Sequence, residues 1–399
     1  MNRKPTRRQV LTGLGACALG TILTPGRLRG AAPTARVLST QVISQLPHHY
    51  HGWPTLAQRK NGQLLVVCSG GREAHVCPFG RVELMRSDDG GKTWSWPRVL
   101  LDGPIDDRDS GVLETARGTL LVTTFTSLAF EPILQRAEAS KPGTAGSWPE
   151  ARLRAWQAAR DRISAAERQK ELGVWMIRSS DGGITWSARY DCLVNSPHGP
   201  VQLSDGRLLY AGKDLWRSPH RVGVCESSDD GKTWRWLASI PTRPGDDHNN
   251  YHELHAVDTR AGKLVVHVRN HNKANYRETL QSESSDGGKT WSVPHPPGVV
   301  GGESGVWGLP SHLLRLNDGR LLMSYGHRRK PFGNQARVSG DGGETWSAPL
   351  TLSADGIGGD LGYPSTIQRK DGSLVTVWYE RMKSSPRAVL RLAHWQLEG

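Results

Sequence analysis

The chain has 399 residues, a formal net charge of +13, 36% hydrophobic residues, 46 glycines and 15 tryptophans against 4 phenylalanines. No apolar run of about eighteen or more residues follows the N-terminal segment, which excludes a membrane-spanning helix in the mature chain. No Lys/Arg run with interleaved aromatics marks a nucleic-acid surface. Abundant glycine with regularly placed tryptophan points to repeated β-hairpins.

The N-terminus, Thr6-Arg7-Arg8-Gln9-Val10-Leu11, resembles the twin-arginine translocation motif. An apolar stretch from Val10 to Leu23 follows, then small residues around Gly30 to Ala35. These features predict a signal segment over 1–35 and export to the periplasm or beyond; the alternative is a basic disordered tail. Leu14-Gly15-Ala16-Cys17 faintly resembles a lipoprotein cleavage box, but the apolar run before Cys17 is too short for one. Removing Arg3, Lys4, Arg7, Arg8, Arg27 and Arg29 leaves +7, a balance that steers acidic glycans toward the surface. The remaining cysteines, Cys68, Cys77, Cys192 and Cys225, allow three pairings. None has CxxC spacing, so neither a zinc site nor a cofactor is expected, and export of an already folded chain leaves buried free thiols as open as disulfides.

Two repeats interleave along the rest of the chain. Six X-Gly turns, at Gly62, Gly118, Gly206, Gly262, Gly319 and Gly372, each precede an apolar strand and read as hairpins. Five segments fit Ser-x-Asp-x-Gly-x-x-Trp, beginning at Ser87, Ser179, Ser227, Ser284 and Ser339. In such a turn Ser and Asp side chains bond nearby backbone N–H groups, Gly admits positive φ, and Trp buries its ring beside the turn. The acidic residues are too sparse for a calcium loop. A repeat of about 55 residues carrying four strands is a propeller blade. The fold class predicted is therefore all-β: a six-bladed β-propeller over 36–399, with a strand near Arg36 to Ile43 completing the last blade. The 88-residue gap between Gly118 and Gly206 marks an insertion in blade 2. Over about 131–170 it reads as helical, as a surface decoration or a lid.

Connectivity then places the chemistry. The first residues of each inner strand converge on the axis, on the face opposite both sets of turns. Nine residues before the turn glycines stand Trp53, Asp109, Pro197, Glu253, Pro310 and Tyr363. At the ends of the second strands stand Arg72, Arg269 and Arg328, with Arg329 as an alternate for the last. Carboxylates, arginines and a tyrosine are thereby predicted around one pocket. His252 and His255 in DDHNNYHELH are expected on opposite sides of their strand, which argues against a metal site.

The five Asp boxes, the six-blade count and the ordered arginine, glutamate and tyrosine positions resemble the sialidase (neuraminidase) superfamily over essentially the whole mature chain. The resemblance implies an exo-acting hydrolase of a terminal acidic sugar, with Tyr363 as nucleophile, Glu253 as its base, and Arg269 and Arg328 binding the sugar carboxylate. A phenol primed by a carboxylate suits a substrate whose own carboxylate would repel an anionic nucleophile. Glu380 resembles the glutamate that supports the family's first arginine. That arginine is replaced here by Gly52-Trp53-Pro54, and the blade-1 aspartate is absent from Gly70-Gly71-Arg72-Glu73-Ala74-His75. Arg72 is expected to restore positive charge, with His75, Asp109 or Asp107 as the acid/base and Asp107 otherwise a substrate-binding group. Two other readings stay open: a propeller glycosidase or lyase using His and carboxylates on another acidic or deoxy sugar, and a non-catalytic glycan-binding propeller.

Overall fold

The computed structural model describes residues 1, 32–273, 278–299 and 310–399. Arg7, Arg8 and Cys17, on which the export expectation rests, lie outside the described residues. Six antiparallel sheets follow one another around a ring, as a six-bladed β-propeller.

After β1 (Thr34–Val42), blade 1 consists of β2 (Tyr50–Gln58), β3 (Leu64–Arg72), β4 (Arg81–Ser87) and β5 (Arg98–Leu101). Blade 2 opens with β6 (Asp106–Glu114) and β7 (Leu120–Ser127). Helices α1 (Glu131–Ala139), α2 (Glu150–Arg160) and α3 (Ala165–Lys170) intervene as expected, before β8 (Val174–Ser179) and β9 (Tyr190–Asp191). Blade 3 comprises β10 (Val201–Gln202), β11 (Leu208–Lys213), β12 (Val222–Ser227) and β13 (Arg235–Ser239). Blade 4 comprises β14 (Tyr251–Asp258), β15 (Leu264–Asn270) and β16 (Thr279–Ser284). Blade 5 holds β17 (His312–Arg315), β18 (Leu321–His327), β19 (Phe332–Ser339) and β20 (Leu350–Gly356). Blade 6 holds β21 (Leu361–Gln368), β22 (Leu374–Arg381) and β23 (Ala388–Glu398). Its fourth strand is β1, antiparallel to β23, so the chain's first strand closes the ring onto its last.

One blade departs from the expected four strands. Among the described residues blade 4 has three, and its outer edge is reduced to a bridge between Gln281 and His295. Pro294, Pro296 and Pro297 flank that bridge. They lack the N–H groups an outer strand would need for pairing.

The core lies between blades, where the apolar side chains of neighbouring sheets meet. Trp53, Tyr363, Val377 and Tyr379 pack between blades 1 and 6, and Leu209, Val224, Leu254 and Val266 between blades 3 and 4. Blades 2 and 3 approach so closely at the axis that a Cβ on Gly111 would lie 2.5 Å from the Gly199 Cα. Cys68, Cys77, Cys192 and Cys225 are buried free thiols.

The five boxes form one repeated turn. In the first, Ser87 Oγ donates to Asp89 Oδ1 (2.8 Å) and accepts from Gly91 N (2.7 Å), while Asp89 accepts from the Thr93 amide and hydroxyl. Both turn sets share one face. Gln63 Nε2 beside the first X-Gly turn donates to Asp88 (2.8 Å), and Arg207 beside the third donates to the Gly287 carbonyl of a neighbouring box (3.3 Å).

Candidate active site

At the opposite end of the inner strands the backbone repeats a less common feature. Trp53, Asp109, Glu253 and Tyr363 all have positive φ, at 53°, 43°, 48° and 53°. In each of these blades the register slips at this point, so that two inner-strand residues oppose one on the partner. Gly52 pairs with Ser69 and Thr55 with Val67; His252 pairs with Arg269 and His255 with His267. The same slip separates Arg108 from Gly111 and Gly362 from Ser365. Side chains larger than glycine hold such dihedrals at a cost of about 1–3 kcal/mol each, and bulges re-aim the side chain they carry. In blades 3 and 5 the equivalent positions are Pro197 and Pro310, whose ring fixes φ negative.

The bulges bring blades 4 and 6 into direct contact. Tyr363 Oη donates to Glu253 Oε1 at 2.5 Å, and Arg269 Nη1 donates both to Tyr363 Oη (2.9 Å) and to Glu253 Oε2. Arg269 stands across the ladder from His252, the residue just before the blade-4 bulge, which is why it meets Glu253. Burial favours the neutral form of Glu253, but the charge and hydrogen bond of Arg269 outweigh it and hold the carboxyl at about 2. Burial, then the Glu253 charge, pushes the Tyr363 phenol well above its ordinary value. The arrangement is thus a protonated phenol hydrogen-bonded to an ionised carboxylate. Asp109 feels the same field: burial and the Glu253 charge push it up to about 7. The Arg269 Nε is buried and has no hydrogen-bond partner among the described residues.

Other predicted residues are disposed differently. Arg328 donates to the Leu361 carbonyl (2.9 Å) and to Tyr379 Oη (3.3 Å), and the Tyr379 ring packs 5.8 Å from that of Tyr363. Arg72 does not present a free fork to a substrate. It is fully buried and bound bidentately by Asp106, at 2.7 and 3.0 Å, with further donations to Ser69 Oγ and the His75 carbonyl. Gly80 leaves room for this pair, since a Cβ there would lie 2.0 Å from both partners. Asp107 turns away toward its own loop, where its carboxylate accepts from Gly103 N at 2.7 Å. Burial lifts it to about 7 without bringing it to the axis. Glu380 also turns away: it accepts from Trp378 Nε1 (2.8 Å) and pairs with Arg391. The pocket-side neighbour on β22 is Tyr379, since Val375, Val377 and Tyr379 share the face that packs on Trp53 and Tyr363. His252 lies against His271 (4.7 Å between rings), whereas His255 is stacked on His312 at the axis (4.6 Å), so the two histidines do diverge.

Sequence reasoning missed three contributors. Arg108 and Arg72 flank the Trp53 ring, with guanidinium carbons 4.6 and 5.0 Å from its centroid. Arg108 immediately precedes Asp109, and its place next to a residue counted back from a turn glycine was the available signal. Asp360 and Tyr50, from the edges of blades 6 and 1, converge on His75: Nδ1 lies 3.0 Å from Asp360 Oδ1 and 2.9 Å from Tyr50 Oη, which itself donates to Asp360 (2.9 Å). Nothing local in the sequence joins residues 50, 75 and 360; only ring closure does.

Fold and site together define a divergent sialidase-type propeller. A model of the BNR repeat-like domain matches residues 135–376 and one of the BNR/Asp-box repeat matches 85–95, so the chain belongs to the BNR repeat-like family. It is 25% identical over 328 residues to a sialidase of Bacteroides fragilis, covering 75% of this chain and 54% of that protein. A Paraclostridium sordellii sialidase is 25% identical over 270 residues, 62% of this chain and 58% of its own length. The chain thus spans little more than half the length of these curated relatives. Among solved structures, a Dyadobacter fermentans protein of unknown function superposes with TM-score 0.69 at 22% identity, covering 91% of this chain and 99% of that one. The intramolecular trans-sialidase of Ruminococcus gnavus, in complex with oseltamivir carboxylate, superposes with TM-score 0.61 at 16% identity over 87% and 94% of the two chains.

Proposed function

We propose that the protein is an exo-acting glycoside hydrolase that removes a terminal acidic sugar, sialic acid or a related ulosonic acid, from glycans. The observation that carries this reading is the 2.5 Å hydrogen bond from Tyr363 to Glu253 with Arg269 across both. In the first step Tyr363 Oη attacks the anomeric carbon as its proton passes to Glu253, and the bond to the leaving oxygen breaks. A phenol whose proton is held this tightly is released only as a bond to carbon forms, which couples deprotonation to attack. Arg269, with its unpartnered Nε, and Arg328, at the same end of the inner strands, are the carboxylate-binding groups. Curated relatives named sialidases support the same class. Export through the twin-arginine pathway, supported by Arg7 and Arg8, belongs to this reading. Gly52 favours a second one, in which the sugar is another acidic or deoxy sugar, because a glycine stands where the family's first clamp arginine is expected. A panel of acidic and neutral glycosides separates the two. Tyr363→Phe tests the mechanism: turnover is expected to fall by about 10³-fold or more with thermal stability retained. Mass spectrometry of the parent stalled with a slowly released fluorinated sugar is expected to find the adduct on Tyr363. Full activity of the variant, or an adduct elsewhere, refutes the nucleophile.

A further inference from the structure

A tyrosine–glutamate pair handles the proton of the nucleophile but not that of the leaving group, and four buried or half-buried groups near it could. Asp109 is almost fully enclosed, 6% exposed, beside Glu253. Asp107 faces Gly103 in its own loop, and Tyr379 is completely buried. His75 differs from all three, since its side chain is 44% exposed. In an exo-acting enzyme the departing glycan projects to solvent, so the group that protonates its oxygen must stand at the mouth of the site.

The position of His75 is fixed from both ends. Its carbonyl accepts from Arg72 Nη2 (3.1 Å), and that guanidinium is itself locked by Asp106. Two residues before it, Glu73 accepts from Trp156 Nε1 (2.7 Å) and pairs with Arg152 (2.5 Å), both on α2 of the helical insertion. Two residues after it, Cys77 is buried in the apolar cluster of Phe130, Leu134 and Trp156. The ring stands edge-on to Trp53, with centroids 4.9 Å apart, and the same indole lies 6.4 Å from the Tyr363 ring. A single indole therefore separates His75 from the nucleophile. The ring's Nδ1 is occupied by Asp360 and Tyr50, whereas Nε2 has no hydrogen-bond partner among the described residues. A carboxylate on Nδ1 selects the tautomer that carries its proton there and leaves Nε2 to exchange protons with a substrate.

We infer that His75 is the proton-transfer residue of this site, with Asp360 and Tyr50 as the residues that position it, and that the blade-2 insertion serves to brace the loop that carries it. The inference rests on the tyrosine reading above only for the identity of the nucleophile. In glycosylation Nε2–H of the imidazolium protonates the leaving oxygen as its bond to the anomeric carbon breaks and the bond to Tyr363 Oη forms. His75 is left neutral with its proton on Nδ1, held by Asp360. In the second step water attacks the same carbon and gives one proton to Nε2. The bond to Tyr363 breaks, and the phenolate recovers its proton from Glu253. Every group returns to its starting state.

The groups that face His75 are Asp360, Tyr50, Arg108, Arg72 and Trp53. Burial lowers its proton affinity, Asp360 raises it, and the two arginines lower it again, for a net shift below the ordinary histidine value. As a general acid it must be protonated, so activity declines as pH rises through its titration. Replacing Asp360 by Asn removes an anion and must move that decline to lower pH.

The experiment compares 3′-sialyllactose, whose leaving group needs a proton, with 4-nitrophenyl sialoside, whose leaving group does not. His75→Gln is expected to lose about 10²-fold or more on the disaccharide and to stay within about tenfold of the parent on the aryl sialoside. Asp360→Asn is expected to shift the alkaline limb of kcat/KM toward lower pH. Equal loss on both substrates in His75→Gln, or the leaving-group-selective loss appearing in Asp109→Asn instead, overturns the assignment. Tyr363→Phe is read separately: if it stays active while His75→Gln shows the selective loss, the nucleophile is wrong and His75 stands. Should the parent cleave neither sialoside, the sugar proposed above is wrong. Nitrogen-15 NMR of the imidazole rings then decides on His75, where an Nε2–H tautomer or a titration unmoved by Asp360→Asn overturns the assignment.

Discussion

The Asp-box turns and the inner-strand bulges are both repeats, but they repeat different things. The boxes repeat side chains: Ser, Asp, Gly and Trp recur, and each Ser donates to its Asp in the same way, as at Ser87, Ser179, Ser227, Ser284 and Ser339. The Ser hydroxyls and Asp carboxylates of that motif are used locally, and the Asp carboxylates are held below their ordinary range by hydrogen bonds from the turn. The bulges repeat only a backbone conformation. On the same positive-φ corner the ring presents an indole, two carboxylates and a phenol in turn. Where the side chain repeats, its role is to close a hairpin. Where only the backbone repeats, the strained corner is a socket, and a different residue in each blade builds one asymmetric site. Holding four such corners costs stability, and burying Asp109 beside Glu253 adds to the cost.

Three substitutions sharpen this contrast. The largest effect is expected from Glu253→Gln, which keeps the shape of the socket and removes the base. Its kcat is expected to fall by about 10²–10⁴-fold, while the melting temperature does not fall in proportion. A parallel loss of stability would mean that the bulges, like the boxes, exist to hold the fold. Next comes Asp109→Asn. Asp109 titrates at about 7 in the fold against an ordinary value of 3.8, so the folded state binds a proton that the unfolded state releases. Stability from this group is therefore greatest below pH 3.8 and declines as pH rises toward 7. Asp109→Asn is expected to raise stability at pH 7 to 8 by on the order of 4 kcal/mol, a gain that vanishes near pH 4 in urea unfolding. A variant no more stable than the parent at neutral pH would show that the corner is not under electrostatic strain. On the other face, Ser284→Ala leaves Gly288 N without its acceptor and removes one of several donors to Asp286. It is expected to cost about 1–3 kcal/mol with no change in kcat/KM.

This division also explains what could be read from the sequence. Repeated side chains are visible in one dimension, so the boxes, the blade count, the insertion and the closing strand were legible. Counting back from the turn glycines located Trp53, Asp109, Glu253 and Tyr363, because strand length from the turn is conserved around the ring. Side-chain direction was harder. A bulge resets the alternation of the strand that contains it, and the unbulged partner keeps its own. Glu380 resembles the glutamate that supports the family's first arginine, yet the uninterrupted alternation of β22 turns Tyr379 rather than Glu380 toward the pocket. Arg72 was expected as a clamp, but Asp106 on the adjacent blade captures it, a contact fixed by packing between sheets. The Tyr50, His75 and Asp360 cluster spans 310 positions of sequence. It exists only because the first and last blades are neighbours in the ring.

The smallest effect concerns the layer beneath the site, where the two regions share the axis. His198, His255 and His312, from blades 3, 4 and 5, pack their rings within 4.6 to 5.3 Å of one another and are buried. Neither ring nitrogen of His198 has a hydrogen-bond partner among the described residues, and burial then neighbouring His312 push it well below its ordinary value. Burial alone takes His312 to about 3. All three are therefore neutral in the fold, whereas the unfolded chain protonates them near the ordinary value of 6.5. Here the unfolded state binds more protons, so the sign is opposite to that of Asp109: stability is complete above pH 6.5 and is lost as pH falls below it. Each histidine contributes up to about 1.4 kcal/mol per pH unit in that range. His198→Gln cannot bind the proton, so the slope of unfolding free energy against pH between 6.5 and 5 is expected to flatten by about one proton. An unchanged slope would mean that His198 takes up its proton within the folded ring, and that the axis beneath the socket is open to water.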